Sequence, residues 1–489
     1  MLRASRLSTV VLCIVLTASA CTTGDRLPTL PPQPSKPTTA APAATRPVVE
    51  LAFNVSDDLR SATGRESVTF VPDLAICELV FRAWPNKPAT ARTGNSLVVT
   101  SVSVDGSTVT PQVRSAGAPA HRAGTLVEAP LAACVDAGAK VTAELTFRLV
   151  LGSGTDERVG VAPKEQIAWF ATAFPLLAWE PGRGWATDPA VDVTGEMATS
   201  EVFDLRSLRV KVPSRYQVLA TGSACPVASD PASGTSMHTF TASAVRDVGV
   251  TVGRLQTLQR EVGGVRLHLG APRTGTKVPL EKWADHAEQS LRRLTALLGP
   301  VPYPDLWISV LPGVADGVEV PGALQFGDLS DPEGLVSHEI AHLWFYGLVG
   351  NNQARDPWLD EAFASYAQRI VDGQDSSEWD EHISHSAAGR VGQPMSYWAR
   401  HVDASQAYVQ GVYEAGGSAL LEARRRGGKR EFDEAVRAYL RDNAHQIMVP
   451  ADVRIALNRL PDAVQVLEDA GALPGAPALH VPGRPESAR

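Results

Sequence analysis

The chain has no long basic block. Its 489 residues hold 45 Lys and Arg against 53 Asp and Glu, a formal net charge of -8. Phosphate binding needs clustered cations, so no nucleic-acid partner is expected. With 44% hydrophobic and 20% charged residues, most of the chain is neither collagen-like nor disordered. Beyond the first residues no run is long and apolar enough for a transmembrane helix, and no internal repeat is present. Cysteine is scarce, five in all, and not at the spacings of a Cys-rich zinc site. The length suits two or three domains.

The N-terminus has the parts of an export signal over residues 1–20. Arg3 and Arg6 make a positive n-region. Leu7 to Thr17 is apolar but too short to span a bilayer, and Ala18-Ser19-Ala20 offers small residues for cleavage. Cys21 follows, where it resembles the lipid-attachment site of bacterial lipoproteins, with Ala18 in place of the preferred leucine. Residues 21–47 are rich in Pro, Thr and Ala without apolar periodicity, a tether that cannot bury a core. An outward-facing membrane lipoprotein is expected. Ala18-x-Ala20 also suits ordinary signal peptidase, so a secreted protein is the alternative. With Cys13 in the signal, Cys77, Cys134 and Cys225 remain, enough for one pair. Cys77 with Cys134 is the expected one, since both lie in the first half of the same region.

Residues 48–260 read as short alternating strands separated by turns, for example Val141-Thr142-Ala143-Glu144-Leu145-Thr146-Phe147. That pattern predicts an antiparallel β sandwich. Residues 261–473 change character. Helical periodicity runs over 280–298, and a strand follows at 306–311. Asp331 and Pro332 open a helix that ends at Gly347 or Gly350. Asp356 and Pro357 open another, which Gly373 closes. Further helices are expected at 413–426, 431–443 and 451–460. Residues 474–489 read as a loose tail.

The informative run is His338-Glu339-Ile340-Ala341-His342. Residues four apart on a helix stack one turn above each other, so two imidazoles can aim at one zinc ion. Glu339 projects beside them as a general base rather than a ligand. Such a run arises by chance in roughly one protein of this size per hundred. Glu361, on the next helix, is the expected third ligand. Requiring it at that offset lowers the chance to about one in a thousand. Two histidines and one carboxylate leave a zinc position open, as in a catalytic site rather than a structural one.

This motif, within Trp358-Leu359-Asp360-Glu361-Ala362-Phe363-Ala364, resembles the M1 metallopeptidases, a gluzincin family of aminopeptidases. Gly317-Val318-Glu319-Val320-Pro321-Gly322 occupies the place of the family's G-A-M-E-N segment. Val412-Tyr413-Glu414-Ala415-Gly416 is similar to its Y-x-x-G element, and Phe81 to Asn86 to a strand of its N-terminal β domain. The resemblance implies an α+β multidomain fold: an N-terminal β sandwich, then a thermolysin-like, mainly helical catalytic domain with a small sheet. It implies one zinc on His338, His342 and Glu361, with Glu339 as base and Tyr413 donating to the oxyanion. It implies that Glu319 holds the free α-amine of a peptide, and that Gly317 and Gly322 belong to the edge segment pairing with its backbone.

Two departures bear on specificity. Val318 and Val320 replace the family's Met and Asn, and little chain follows Leu460 to form a cap. An endopeptidase with an open cleft is therefore an alternative, and a non-catalytic binding lipoprotein that keeps the metal site is another. Asp360 is expected either to orient a histidine or to sit exposed in the first helical turn. Trp344, Trp358 and Phe363 are expected in the core, and His382, His385 and His401 on the surface.

Overall fold

Alternation of apolar and polar residues shapes the first half. In Val48–Val55 the side chains of Val49, Leu51, Phe53 and Val55 are buried, and in Val141–Val150 those of Val141, Ala143, Leu145, Phe147 and Leu149. A period of two turns one face of each strand inward. In a computed structural model, these strands belong to a nine-stranded sheet among the described residues, which are 46–152, 154, 156–193, 200–375 and 387–474. The export signal, Cys21, nearly all of the tether, the tail beyond Pro474, His382 and His385 lie outside the described residues. The sheet is antiparallel except where Val48–Val55 lies parallel to Phe203–Pro213. A four-stranded antiparallel sheet, including Ile167–Ala171 and Gly249–Gly253, shares its core, with the Phe53 and Phe170 rings 5.0 Å apart. Cys77 and Cys134 form a disulfide within a third small sheet, and Cys225 is free and exposed.

The second half is built on a five-stranded sheet in the order Leu255–Val262, Val265–Pro272, Asp305–Leu311, Ala323–Gly327, Gly317–Val318. Its first strand straddles residue 260. Asp305–Leu311 is buried at every position, as a strand with parallel neighbours on both sides demands. Gly317–Val318 is an antiparallel edge strand. Helices cover the sheet: α1 (Leu280–Leu298), α2 (Glu333–Ala341), α3 (Trp358–Val371) and α4 (Ala415–Gly427), followed by Lys429–Asp442, Pro450–Ala456 and Pro461–Asp469. The β-rich first part and helical second part are as expected.

Local differences have physical causes. The helix expected to reach Gly347 or Gly350 ends at Ala341. Beyond it the amides of Gly347, Leu348 and Val349 reach back five residues, and Tyr346 adopts a φ of 96°. Wider turns of this kind leave no glycine signal at the true helix end. The helix Pro461–Asp469 was not expected, and Pro450–Ala456 is shorter than 451–460. Trp344, Trp358 and Phe363 are core residues. His401 is half-buried against the rings of Tyr397 and Trp398 rather than free on the surface.

Candidate metal centre and its cavity

α2 and α3 pack side by side and bring the three expected ligands together. His338 Nε2 and His342 Nε2 each stand 3.2 Å from Glu361 Oε2, and 3.1 Å from each other. Ligands ~2.0–2.1 Å from a tetrahedral zinc stand ~3.3–3.4 Å apart, so the triangle has the size of one zinc face. The far nitrogens settle the chemistry of the near ones. His342 Nδ1 faces the Phe345 carbonyl at 3.1 Å, and His338 Nδ1 faces Gln368 Oε1 at 3.3 Å. Each Nδ1 must donate there, which leaves the Nε2 lone pairs facing inward. Two lone pairs and a carboxylate oxygen, all buried, converge where only a cation satisfies them. The residues fit a divalent metal.

Glu339 sits beside this triangle, buried, with Oε2 lacking a hydrogen-bond partner. Burial pushes its carboxyl well above the usual range; His342 opposes this, while Glu319 and Glu361 add to it. Burial also works against ionised Glu361, but the two histidines hold it well below the usual carboxylate range. His342 is pushed up to about 10 despite its burial, by the Glu361 carboxylate.

These groups line a cavity of about 340 Å³ together with Glu319, Gly317, Tyr408, Tyr413 and Glu157. Glu157 comes from the β half, so the cavity lies between the halves. Tyr413 is half-buried with its ring stacked on His338 at 5.6 Å. α4 holds it there by packing closely on α3: a Cβ on Gly416 would stand 2.6 Å from the Ala362 Cβ. Gly317 lies directly against Glu339, where an added Cβ would meet the carboxyl at 2.5 Å. Gly322 does not line this cavity. Its φ of 70° makes a turn whose carbonyl accepts from the Trp307 amide.

Glu319 is buried and held from two sides. Arg158 Nη2 is 3.6 Å from its Oε1, and Gln353 Nε2 donates to the same oxygen at 3.3 Å. Asp360 is neither exposed nor bonded to a histidine. It accepts from Gln353 Nε2 at 2.9 Å and from the Glu361 amide at 2.8 Å, and burial beside Glu361 pushes it up to about 8. Sequence reasoning missed Arg158, Gln353, Gln368 and Tyr408. Gln368 was findable, since it lies seven residues after Glu361 on the same helical face. The others reach the site from loops or other elements, and no spacing reveals them.

Comparison with known proteins agrees with this geometry. Residues 324–469 match the peptidase family M1 domain. Aminopeptidase Ey of Gallus gallus is 27% identical over 159 residues, 28% of this chain and 16% of the relative. Tricorn protease-interacting factor F2 of Thermoplasma acidophilum is 28% identical over 121 residues, 22% of this chain and 16% of the relative. The matched region thus spans about a sixth of the length of either. An M1 zinc metallopeptidase from Deinococcus radiodurans superimposes with a TM-score of 0.63 at 18% identity, covering 88% of this chain and 94% of that one. A mutant M1 zinc metallopeptidase from the same organism, bound to Tyr-Ser-Ala, gives 0.62 at 17% with the same coverage. At such identity the likeness is one of fold. Domain match, fold and side-chain triad agree: residues 324–469 resemble the peptidase family M1 domain, the fold is similar to that of M1 zinc metallopeptidases, and three buried side chains could hold a metal ion.

Proposed function

We propose that this protein removes N-terminal residues from peptides outside the cytoplasmic membrane, using one zinc ion held by His338, His342 and Glu361. The observation that carries the reading is the cavity itself. The metal triangle, a buried base and a second buried carboxylate, Glu319, line one space of peptide size. Zinc, when bound there, supplies a Lewis acid that polarises a carbonyl and makes water nucleophilic at neutral pH.

The chain's own residues do the rest. Glu339 takes the proton of the attacking water and returns it to the leaving amine. The Tyr413 hydroxyl donates to the oxyanion as it forms. The free edge of Gly317–Val318 pairs with substrate backbone, and Glu319 accepts the α-ammonium. Residues 1–20 direct export and Cys21 carries the lipid anchor.

Arg158 gives a specific reason to keep the endopeptidase reading, because it already occupies one side of Glu319. One peptide with a free N-terminus and its N-acetylated twin decide between them, incubated with the zinc-loaded mature protein. Cleavage of the free peptide alone, at its first bond, is expected. Internal cleavage of both makes the protein an endopeptidase, and cleavage of neither removes the catalytic proposal. The mass of the same mature protein tests the anchor: a diacylglyceryl adduct on Cys21 supports it, and an unmodified N-terminus shows secretion.

A further inference from the structure

One buried side chain beside the cavity donates to two carboxylates at once. Gln353 is 0% exposed, and its Nε2 donates to Glu319 Oε1 at 3.3 Å and to Asp360 Oδ2 at 2.9 Å. Its Oε1 is buried without a hydrogen-bond partner. Such an atom costs free energy, and few occur in folded proteins. Turning the amide over would set that oxygen against the two carboxylates, so the acceptors fix its orientation. Methionine or leucine would fill the same space without leaving an oxygen unpaired. The two hydrogen bonds therefore call for a reason beyond packing.

The β half holds Gln353 in place. Residues 352–357 form the turn that leads into α3. Arg355 reaches Glu180 through Nη1 at 3.0 Å and Asp188 through Nη2 at 3.0 Å. Both carboxylates belong to the β half, and Glu180 is buried. Within the turn, Asn352 Oδ1 accepts from the amides of Ala354 and Arg355, each at 3.1 Å. The turn is thus clamped on either side of Gln353.

The amide joins two parts of the site. Glu319 follows the edge strand Gly317–Val318. Asp360 and Glu361 share the first turn of α3, and Asp360 also accepts from the Glu361 amide. Arg158 holds Glu319 from the β half, whereas Gln353 holds it from the helix start that carries a metal ligand. Gln353 itself does not line the cavity. The separation between an amine acceptor and a metal decides which peptide bond lies at the metal, and small misplacements there carry large losses. We infer that Gln353 is a positioning residue: it holds Glu319 at a set distance from Glu361 and so places the first bond of an unblocked peptide at the metal. The inference rests on the proposed reading of Glu319 as the amine anchor.

The test reads recognition of the amine rather than activity. Zinc-loaded Glu339→Gln protein is titrated calorimetrically with Ala-Ala-Ala and with propionyl-Ala-Ala, which lacks only the first amino group. With Gln353 in place, the free amine should improve affinity at least about tenfold, the effect of one hydrogen bond to a charged group. Gln353→Met should lower that preference about fivefold, the effect of one lost uncharged hydrogen bond. Affinity for propionyl-Ala-Ala and zinc content should stay at the parent level. A merely structural role would lower the thermal midpoint and leave the ratio of the two affinities alone. An unchanged ratio in Gln353→Met overturns the inference and leaves the reading of Glu319 intact. No preference for the free amine with Gln353 in place removes Glu319 as the amine anchor, and the inference with it. If Gln353→Met does not fold, Arg355→Gln decides, because its side chain is 39% exposed and its loss frees the turn without cutting into the core. A lower ratio then supports the inference, and an unchanged one overturns it.

Discussion

At the scale of single residues, the metal ligands compete for one cation or one proton. With no divalent ion present, Glu361 stays ionised and His342 holds a proton up to about pH 10. The sign follows: below that pH a metal must displace the proton, so affinity rises with pH and falls with acid. The apparent Kd for zinc should weaken about tenfold for each unit of pH lost, with roughly one proton released per ion. A histidine of ordinary pKa, near ~6.5, gives no slope above about pH 7.5. Chelator competition at pH 7.5 and 8.5 therefore tests the site. A Kd equal at the two values means that Glu361 does not hold a proton on His342.

At the scale of elements, the edge strand and α2 depend on each other through a missing side chain. Gly317 has no Cβ, and the Glu339 carboxyl fills that space. Its φ is not in the left-handed region, so alanine fits the backbone and acts only by displacing Glu339. Gly317→Ala should lower kcat by at least about tenfold, because small misplacements of a catalytic group carry large rate losses. Zinc content should stay at the parent level, since the atoms nearest the added Cβ all belong to Glu339. Unchanged kcat would show that Glu339 moves aside freely or does not act as the base. The same scale shows what was legible beforehand. His338 and His342 share a helical face by spacing alone, and Glu361 could be placed on the following helix. The π-helical turn Val409–Glu414 that follows Tyr408 could not be foreseen, because its sequence has the composition of an ordinary helix. Neither could the pairing of Arg158 with Glu319, which joins residues 161 positions apart in two different halves of the fold.

For the whole molecule, the β half and the helical half meet at the cavity, but the disulfide lies in the β half alone. Cys77 and Cys134 close a loop of 57 residues. Cross-linking a loop of that length stabilises the fold by about 4 kcal/mol through unfolded-chain entropy. Replacing both cysteines with serine should lower the thermal midpoint by several degrees. Peptide hydrolysis at 25 °C should stay near the parent rate, since neither cysteine lines the cavity. An unchanged midpoint would mean that the surrounding strands already hold the segment.

The sequence by itself determined the periodicities, and with them the order of the two halves. It also picked out the cluster of His338, His342 and Glu361 that could hold a metal, because helix geometry turns a spacing of four into a shared face. Tertiary structure alone decided what surrounds them. The cavity, the Arg158 and Gln353 contacts to Glu319, and the second tyrosine all arise where distant segments meet. Such contacts depend on packing between elements, and packing leaves no period in the chain.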